Sequence, residues 1–241
     1  MGSLIRTWML RLLGKDENTD VNQFKYLMEW ANRIASTKNE EGLRDLIKIV
    51  LRPVQAKHMR DAYLKSAHGA PEPLWWPNSM SLFGYSEVLK SNILSYVSQN
   101  CVVKDVKEAE ELNLASDVLL PTVWHPSSLV NTLGMIGPGL PAKEFEPSTN
   151  HCVTYMHPLG IGWVNGGNHS ISQAIVRGQG TLVPTEFIDV TSLIQAIRYD
   201  GSHWRCIGSG KQLGTPRYPE FGWVWEIGRH LVTLSSTKKP L

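Results

Sequence analysis

The sequence predicts an α+β protein: a helical N-terminal half, residues 1–100, followed by an α+β domain, residues 101–241, in which helices pack on a small mixed sheet. Three observations predict it. Apolar residues recur at helical spacing through much of the first hundred positions. The pattern shortens to strand-like runs after Asn150. Each of those runs is closed by Gly, Pro or Asn turn signals.

Taken in order, Leu4, Ile5, Trp8, Met9, Leu12 and Leu13, set among Arg6, Arg11 and Lys15, describe a short basic amphipathic helix. It lacks the cleavage site of a secretory signal, and Arg6 stands where a myristoylation motif needs Ser or Thr. Its simplest use is docking on the body of the protein. A second helix is expected over residues 22–35, with Phe24, Leu27, Met28, Ala31 and Ile34 on one face. A longer one carries Leu43, Leu46, Ile47, Val50, Leu51 and Val54. Pro53 is expected to kink it or to end its first half, because proline removes a donor and clashes one turn back. Three prolines between residues 71 and 77 favour an extended connector, pinned by Trp75 and Trp76. Helices are expected again over residues 81–97 and 104–114, with a shorter one after Pro126.

Residues 152–156 and 161–164 then read as strands joined by a turn at His157-Pro158-Leu159-Gly160. Asn165-Gly166-Gly167 leads into a helix bearing Ile171, Ala174 and Ile175, with Gly178 or Gly180 as its left-handed cap. Residues 181–188 read as one strand, 192–198 as a helix and 203–207 as a short strand after an Asp200-Gly201 turn. A tryptophan-rich helix over residues 220–232 closes the domain.

Bulk composition narrows the function classes. The formal charge is +2, from 24 basic and 22 acidic residues, so the balance of charge makes no general case for nucleic acid. A local case exists on the helix at residues 44–65, where Arg44, Lys48, Arg52, Lys57, Arg60 and Lys65 are opposed by Asp45 and Asp61. Cys101, Cys152 and Cys206 are odd in number and lack CxxC spacing, which fits reduced thiols and a cytoplasmic location. No run of about 20 apolar residues is present, so no transmembrane segment is expected.

The segment richest in chemical options is Asn165-Gly166-Gly167-Asn168-His169-Ser170. Two glycines allow positive φ and close approach of a ligand. The helix that follows would aim free N–H groups and its positive dipole end out of the turn, which suits a phosphate. Asn168 or Ser170 would cap the helix, and His169 would sit in its first turn as phosphate ligand or general base.

A strand, a Gly-Gly-x-His turn, an amphipathic helix and a strand running through Val-Pro make up residues 161–188, with Gly166-Gly167-Asn168-His169, Ala174 and Val183-Pro184 at the matching positions. This stretch resembles the ParB/sulfiredoxin-like superfamily, whose members include ATP-using sulfiredoxins, CTP-hydrolysing ParB proteins, free serine kinases and nucleases. The resemblance implies a ParB/sulfiredoxin-like core, a turn that holds nucleotide phosphates, and a hydrolase or transferase activity. Asn168 stands where sulfiredoxins carry the reactive cysteine, and Ser170 where the family carries a phosphate-binding arginine. Phosphate binding would then fall to Gly166, Gly167, Asn168, His169 and Ser170, helped by a basic residue such as Arg177 or Arg198.

Two other functions compete. His151, brought near His169 by the expected hairpin, could join it and Glu144, Glu186 or Asp189 around a divalent metal, as in a metal-dependent nuclease or hydrolase. Alternatively Trp75-Trp76 and Trp223-Val224-Trp225 would serve a non-enzymatic module that binds a protein partner or forms a homo-oligomer.

Overall fold

The computed structural model describes residues 19–64, 102–104 and 110–237. The expected helices at the N-terminus and over residues 81–97, the connector with Trp75-Trp76, and Cys101 lie outside them. The described helices are α1 (Thr19–Ser36), α2 (Glu40–Leu64), α3 (Pro126–Thr132), α4 (Asn168–Arg177), α5 (Thr191–Ala196) and α6 (Pro219–Thr237). The strands are β1 (Val102–Lys104), β2 (Leu112–Asn113), β3 (Val118–Leu120), β4 (Val153–His157), β5 (Ile161–Val164), β6 (Thr181–Leu182), β7 (Glu186–Asp189), β8 (Ile197–Tyr199), β9 (Trp204–Cys206) and β10 (Gln212–Gly214). The class is α+β.

The main sheet has the order β1-β7-β4-β5-β3. β4 and β5 pair antiparallel, whereas β3 runs parallel to β5 and β7 parallel to β4. The sheet is therefore mixed, and its middle strands are covered on both faces. Alternation along the strands assigns the faces. Val118, Leu120, Met156, Ile161 and Trp163 join the large core built with α1, α2, α5 and α6. Leu119, Val153 and Val164 face the other way, onto Ile171 and Ala174 of α4 and onto Leu112 and Leu182 of the small β2–β6 ladder. A strand buried on both faces need not alternate in hydrophobicity, which explains the unbroken Ile-Gly-Trp-Val of β5.

The apolar stripes read from the sequence are the ones that pack. Ala31 of α1 and Leu43, Ile47, Leu51 and Val54 of α2 lie in the same core as Phe221, Val224 and Trp225 of α6. Two described parts far apart in sequence thus share one interior. Pro53 does not interrupt α2, which runs unbroken through it. The ring sits on the exposed side, and Ile49, whose carbonyl loses its intrahelical donor, is also exposed, so water can take up that carbonyl.

Other departures have equally local causes. The helix expected over 104–114 is absent from its described residues: Lys104 ends β1, and Leu112–Asn113 form β2 against β6. The single strand expected over 181–188 divides into β6 and β7, which join different sheets on either side of Val183-Pro184-Thr185. The helix expected over 192–198 stops at Ala196, because Ile197 to Tyr199 pair with β9. Asp200 Oδ1 accepts the N–H groups of Ser202 and His203 at 3.0 and 2.8 Å, which fixes the expected turn between those strands.

Candidate functional site at the start of α4

The polypeptide leaves β5 and turns into α4 within three residues, and three sets of contacts hold that turn. Cys152 O accepts the backbone N–H groups of Asn165 and Gly166 at 2.8 and 3.1 Å. Asn165 Nδ2 donates to Thr154 Oγ1 at 2.8 Å, and that hydroxyl donates to Glu186 Oε2 at 2.6 Å. Asn168 Oδ1 accepts the N–H of Thr122 at 2.6 Å, tying α4 to the segment that follows β3.

Both glycines are required by contact. A Cβ on Gly166 would lie 2.6 Å from Asn150 O, and one on Gly167 would lie 2.2 Å from His151 Cδ2. Gly167 also has φ +70° and is itself the N-cap of α4, with no side-chain capping bond. The expected capping role of Asn168 or Ser170 is therefore corrected. Asn168 is spent on Thr122, and the Ser170 hydroxyl donates to Gly167 O at 3.1 Å.

The hydrogen bonds also fix the two imidazole tautomers. His151 Nδ1 accepts the Ser148 N–H at 2.8 Å, so the neutral ring carries its proton on Nε2, which faces Ser170 Oγ at 2.7 Å. His151 thus donates to the serine and cannot take its proton. The pair lacks the polarity of a serine nucleophile and its base. His169 Nε2 accepts the N–H groups of Trp124 and His125 at 3.3 and 3.2 Å, which leaves the proton on Nδ1. Burial pushes the His151 imidazole below its ordinary value; burial and the neighbouring His125 charge do the same to His169.

A cleft of about 580 Å³ opens on this turn. Its walls are Gly166 to Ser170 on one side, Trp124 and His125 on another, and Ser128 and Thr132 of α3. Among the described residues no hydrogen bond takes up the backbone N–H groups of Asn168, His169 and Ser170. Three donors and the positive end of a ten-residue helix therefore meet at the cleft.

A family model described as a family of unknown function (DUF6710) matches residues 13–237. The chain belongs to the DUF6710 family. No curated protein and no solved structure matches it.

In this DUF6710 chain the residues singled out from sequence are gathered unevenly. Gly166, Gly167, Asn168, His169 and Ser170 line the cleft, and His151 braces the turn from behind. Arg177 is not brought there, because it occupies the last turn of α4, about 14 Å along the axis from Asn168. Among the described residues no three His, Cys, Asp or Glu side chains come together to hold a metal ion. Glu186 and Asp189, named as ligand candidates, accept bonds from Thr154 and from the Thr191 N–H. Val224 and Trp225 are core residues, so this part of the tryptophan-rich segment is packed inside and offers no docking face.

The basic helix is likewise engaged with the protein. Arg44 donates to Pro158 O at 3.1 Å, Lys48 pairs with Asp117 at 3.0 Å, Arg52 donates to Ala115 O, and Lys57 pairs with Asp61 at 3.1 Å. Among the described residues, no helix is long and apolar enough to cross a membrane. Cys152 forms no disulfide among the described residues. Sequence reasoning missed the Trp124-His125 wall and the α3 residues Ser128 and Thr132. The His-Pro-Ser-Ser run that starts α3 marks a helix start but carries no sign of which site it faces.

The lowered imidazoles make a pH prediction. His151, His169 and His230 all lie below 6.5 in the fold, and burial is the first cause in each. Between the folded and unfolded values the unfolded chain binds more protons, so their contribution is complete above pH about 6.5 and is lost on acidification through the folded values. Tm is expected to fall between pH 7.5 and pH 5.5, and a His151→Gln protein is expected to show a shallower fall. A profile that is flat, or that rises toward acid, would contradict this.

Proposed function

We propose that the protein binds a phosphate-bearing ligand, a nucleotide in the first instance, at the N-terminus of α4, and that residues 161–188 form a ParB/sulfiredoxin-like phosphate-binding element. The observation that carries the reading is the meeting of three unspent N–H groups, Asn168, His169 and Ser170, with a cleft of about 580 Å³. Backbone donors at a helix start need no lysine or arginine to hold an anion, because the dipole and the N–H geometry supply the attraction. This answers the serine at the position where the resembling family carries arginine. His169 adds a fourth donor through Nδ1, since its Nε2 is occupied by the Trp124 and His125 amides. A general-base role would require those amides to leave Nε2, so ligand binding is the part of the reading that the resting geometry supports.

The test is a thermal-shift titration with inorganic tripolyphosphate and with the four common ribonucleoside triphosphates. A ligand present at a hundred times its Kd is expected to stabilise the fold by about 2.7 kcal/mol. The shift is expected to shrink in a folded His169→Ala protein, which loses both the Nδ1 donor and the acceptor that positions Trp124 and His125. A folded wild-type protein whose Tm is unmoved by any of these anions would remove the proposal.

A further inference from the structure

The cleft at the start of α4 has one large apolar surface, and it belongs to Trp124. Its other lining residues, among those described, are glycines, histidines and uncharged polar side chains. No carboxylate is there to repel an anion, and no lysine or arginine to hold one. Trp124 is 57% exposed. A single apolar side chain in water needs no explanation by itself. Its place does: the indole and the three unspent N–H groups of α4 open on the same space of about 580 Å³. That volume lies within the roughly 300–1,000 Å³ of small-molecule sites.

The indole is also held from behind. Thr122 donates its N–H to Asn168 Oδ1 at 2.6 Å, and the N–H groups of Trp124 and His125 both donate to His169 Nε2, at 3.3 and 3.2 Å. Val123, between them, is buried and packs with Ala62 and Leu129 in a small core of its own. The backbone of residues 122–125 is thus fixed to α4 on both sides of an inward-pointing valine, and Trp124 is turned out. The Trp124 and His125 rings meet edge to face with centroids 5.4 Å apart, and the indole lies 6.4 Å from the His169 ring. An aromatic ring on a fixed backbone has few rotors left to freeze when a ligand lands on it, so little affinity is lost to ordering.

We propose that Trp124 recognises the ring of the ligand by stacking, and that the α4 site therefore takes nucleotides with little regard to which base they carry. The inference rests on the phosphate reading above and adds what holds the other end of the ligand. With polar walls everywhere else in the cleft, a flat ring gains from contact with the indole alone. The indole stands one side chain away from the start of α4, beside His169. A base on Trp124 and phosphates at the α4 N–H groups are then separated by a short polar span, which a ribose fills. Stacking on an aromatic side chain is worth about five- to 150-fold in affinity per base, and it tolerates every base because each presents a π-face.

Ribose 5-triphosphate keeps the sugar and the phosphate charge of a nucleotide and lacks the ring, so the ratio of its Kd to that of ATP or GTP reads the ring alone. For the whole chain that ratio is expected to be about ten or more. In Trp124→Ala it is expected to fall to about one, and in Trp124→Tyr, which keeps a smaller ring, to stay above about three. Trp124→Leu restores apolar bulk without a ring; it is expected to match alanine, and it decides the matter if the alanine protein does not fold. Equal binding of ATP, GTP and ribose 5-triphosphate by the wild-type protein overturns this inference alone. So does a ratio that survives in Trp124→Ala or Trp124→Leu, or one purine bound tightly while the other binds no better than ribose 5-triphosphate. Absence of all binding, ribose 5-triphosphate and tripolyphosphate included, overturns the phosphate reading and this one together.

Discussion

Replacing Gly167 by alanine is expected to destabilise the protein by about 3 kcal/mol, a fall in Tm of roughly 6–12 °C for a chain of this size, and to abolish anion binding at α4. Two effects add. A side chain at φ +70° costs about 1–2 kcal/mol in the left-handed region. The new Cβ would also lie 2.2 Å from the His151 ring, so the imidazole must leave. With it go the bonds to the Ser148 N–H and to Ser170 Oγ, each worth about 1 kcal/mol. Gly178→Ala separates the two effects. Gly178 has φ +65° at the other end of the same helix, and a Cβ there would meet its nearest neighbour, Ala115 Cβ, at 4.0 Å. It is expected to cost the backbone strain alone and to leave binding intact. Equal losses of stability in the two variants, measured by urea denaturation, would mean that His151 does not depend on the bare glycine.

Trp225→Ala is expected to be the more damaging substitution, at about 3–5 kcal/mol. Trp225 is fully buried on α6, packs edge-on against Trp204 with ring centroids 5.6 Å apart, and donates through Nε1 to Ile197 O at 2.9 Å. The cavity would open where α6, β8 and β9 meet. Ile197 O keeps a second donor, Arg229 Nη2 at 2.7 Å, so the loss is chiefly one of packing. Trp225→Phe, which retains most of the volume, is therefore expected to recover the larger part of the stability. A fold that tolerates the alanine with less than about 1 kcal/mol lost would place Trp225 outside the range of buried aromatic residues. It would contradict the core described above.

The helical stripes of α1 and α2, the existence of a closing helix at α6, the strand pair 153–164, the turn at Gly166-Gly167 and the glycine cap of α4 were legible in the sequence. Each depends on neighbours within about one turn or one hairpin. Residue spacing decides which face of a helix is apolar, and only glycine holds φ +70° at Gly167 and φ +65° at Gly178 without strain. Spacing also sufficed to see that α4 begins at the Gly-Gly turn.

What tertiary structure decided is where the unspent hydrogen-bonding groups are. Asn168 looked like a cap and instead ties α4 to Thr122, 46 residues away in sequence. The Nε2 atom of His169 is claimed by two amides of the Trp124-His125 segment, which sets its tautomer and leaves Nδ1 as the donor. Arg177 shares a helix with the turn yet ends it at the far side, and the cations of α2 are spent on Pro158, Asp117, Ala115 and Asp61. The short run 181–188 split because β2 and β4 compete for its two ends across long stretches of sequence. Local periodicity fixes which residues can form an element. Which donors and acceptors remain free is fixed by partners that sequence proximity does not reveal, and that choice defines the site.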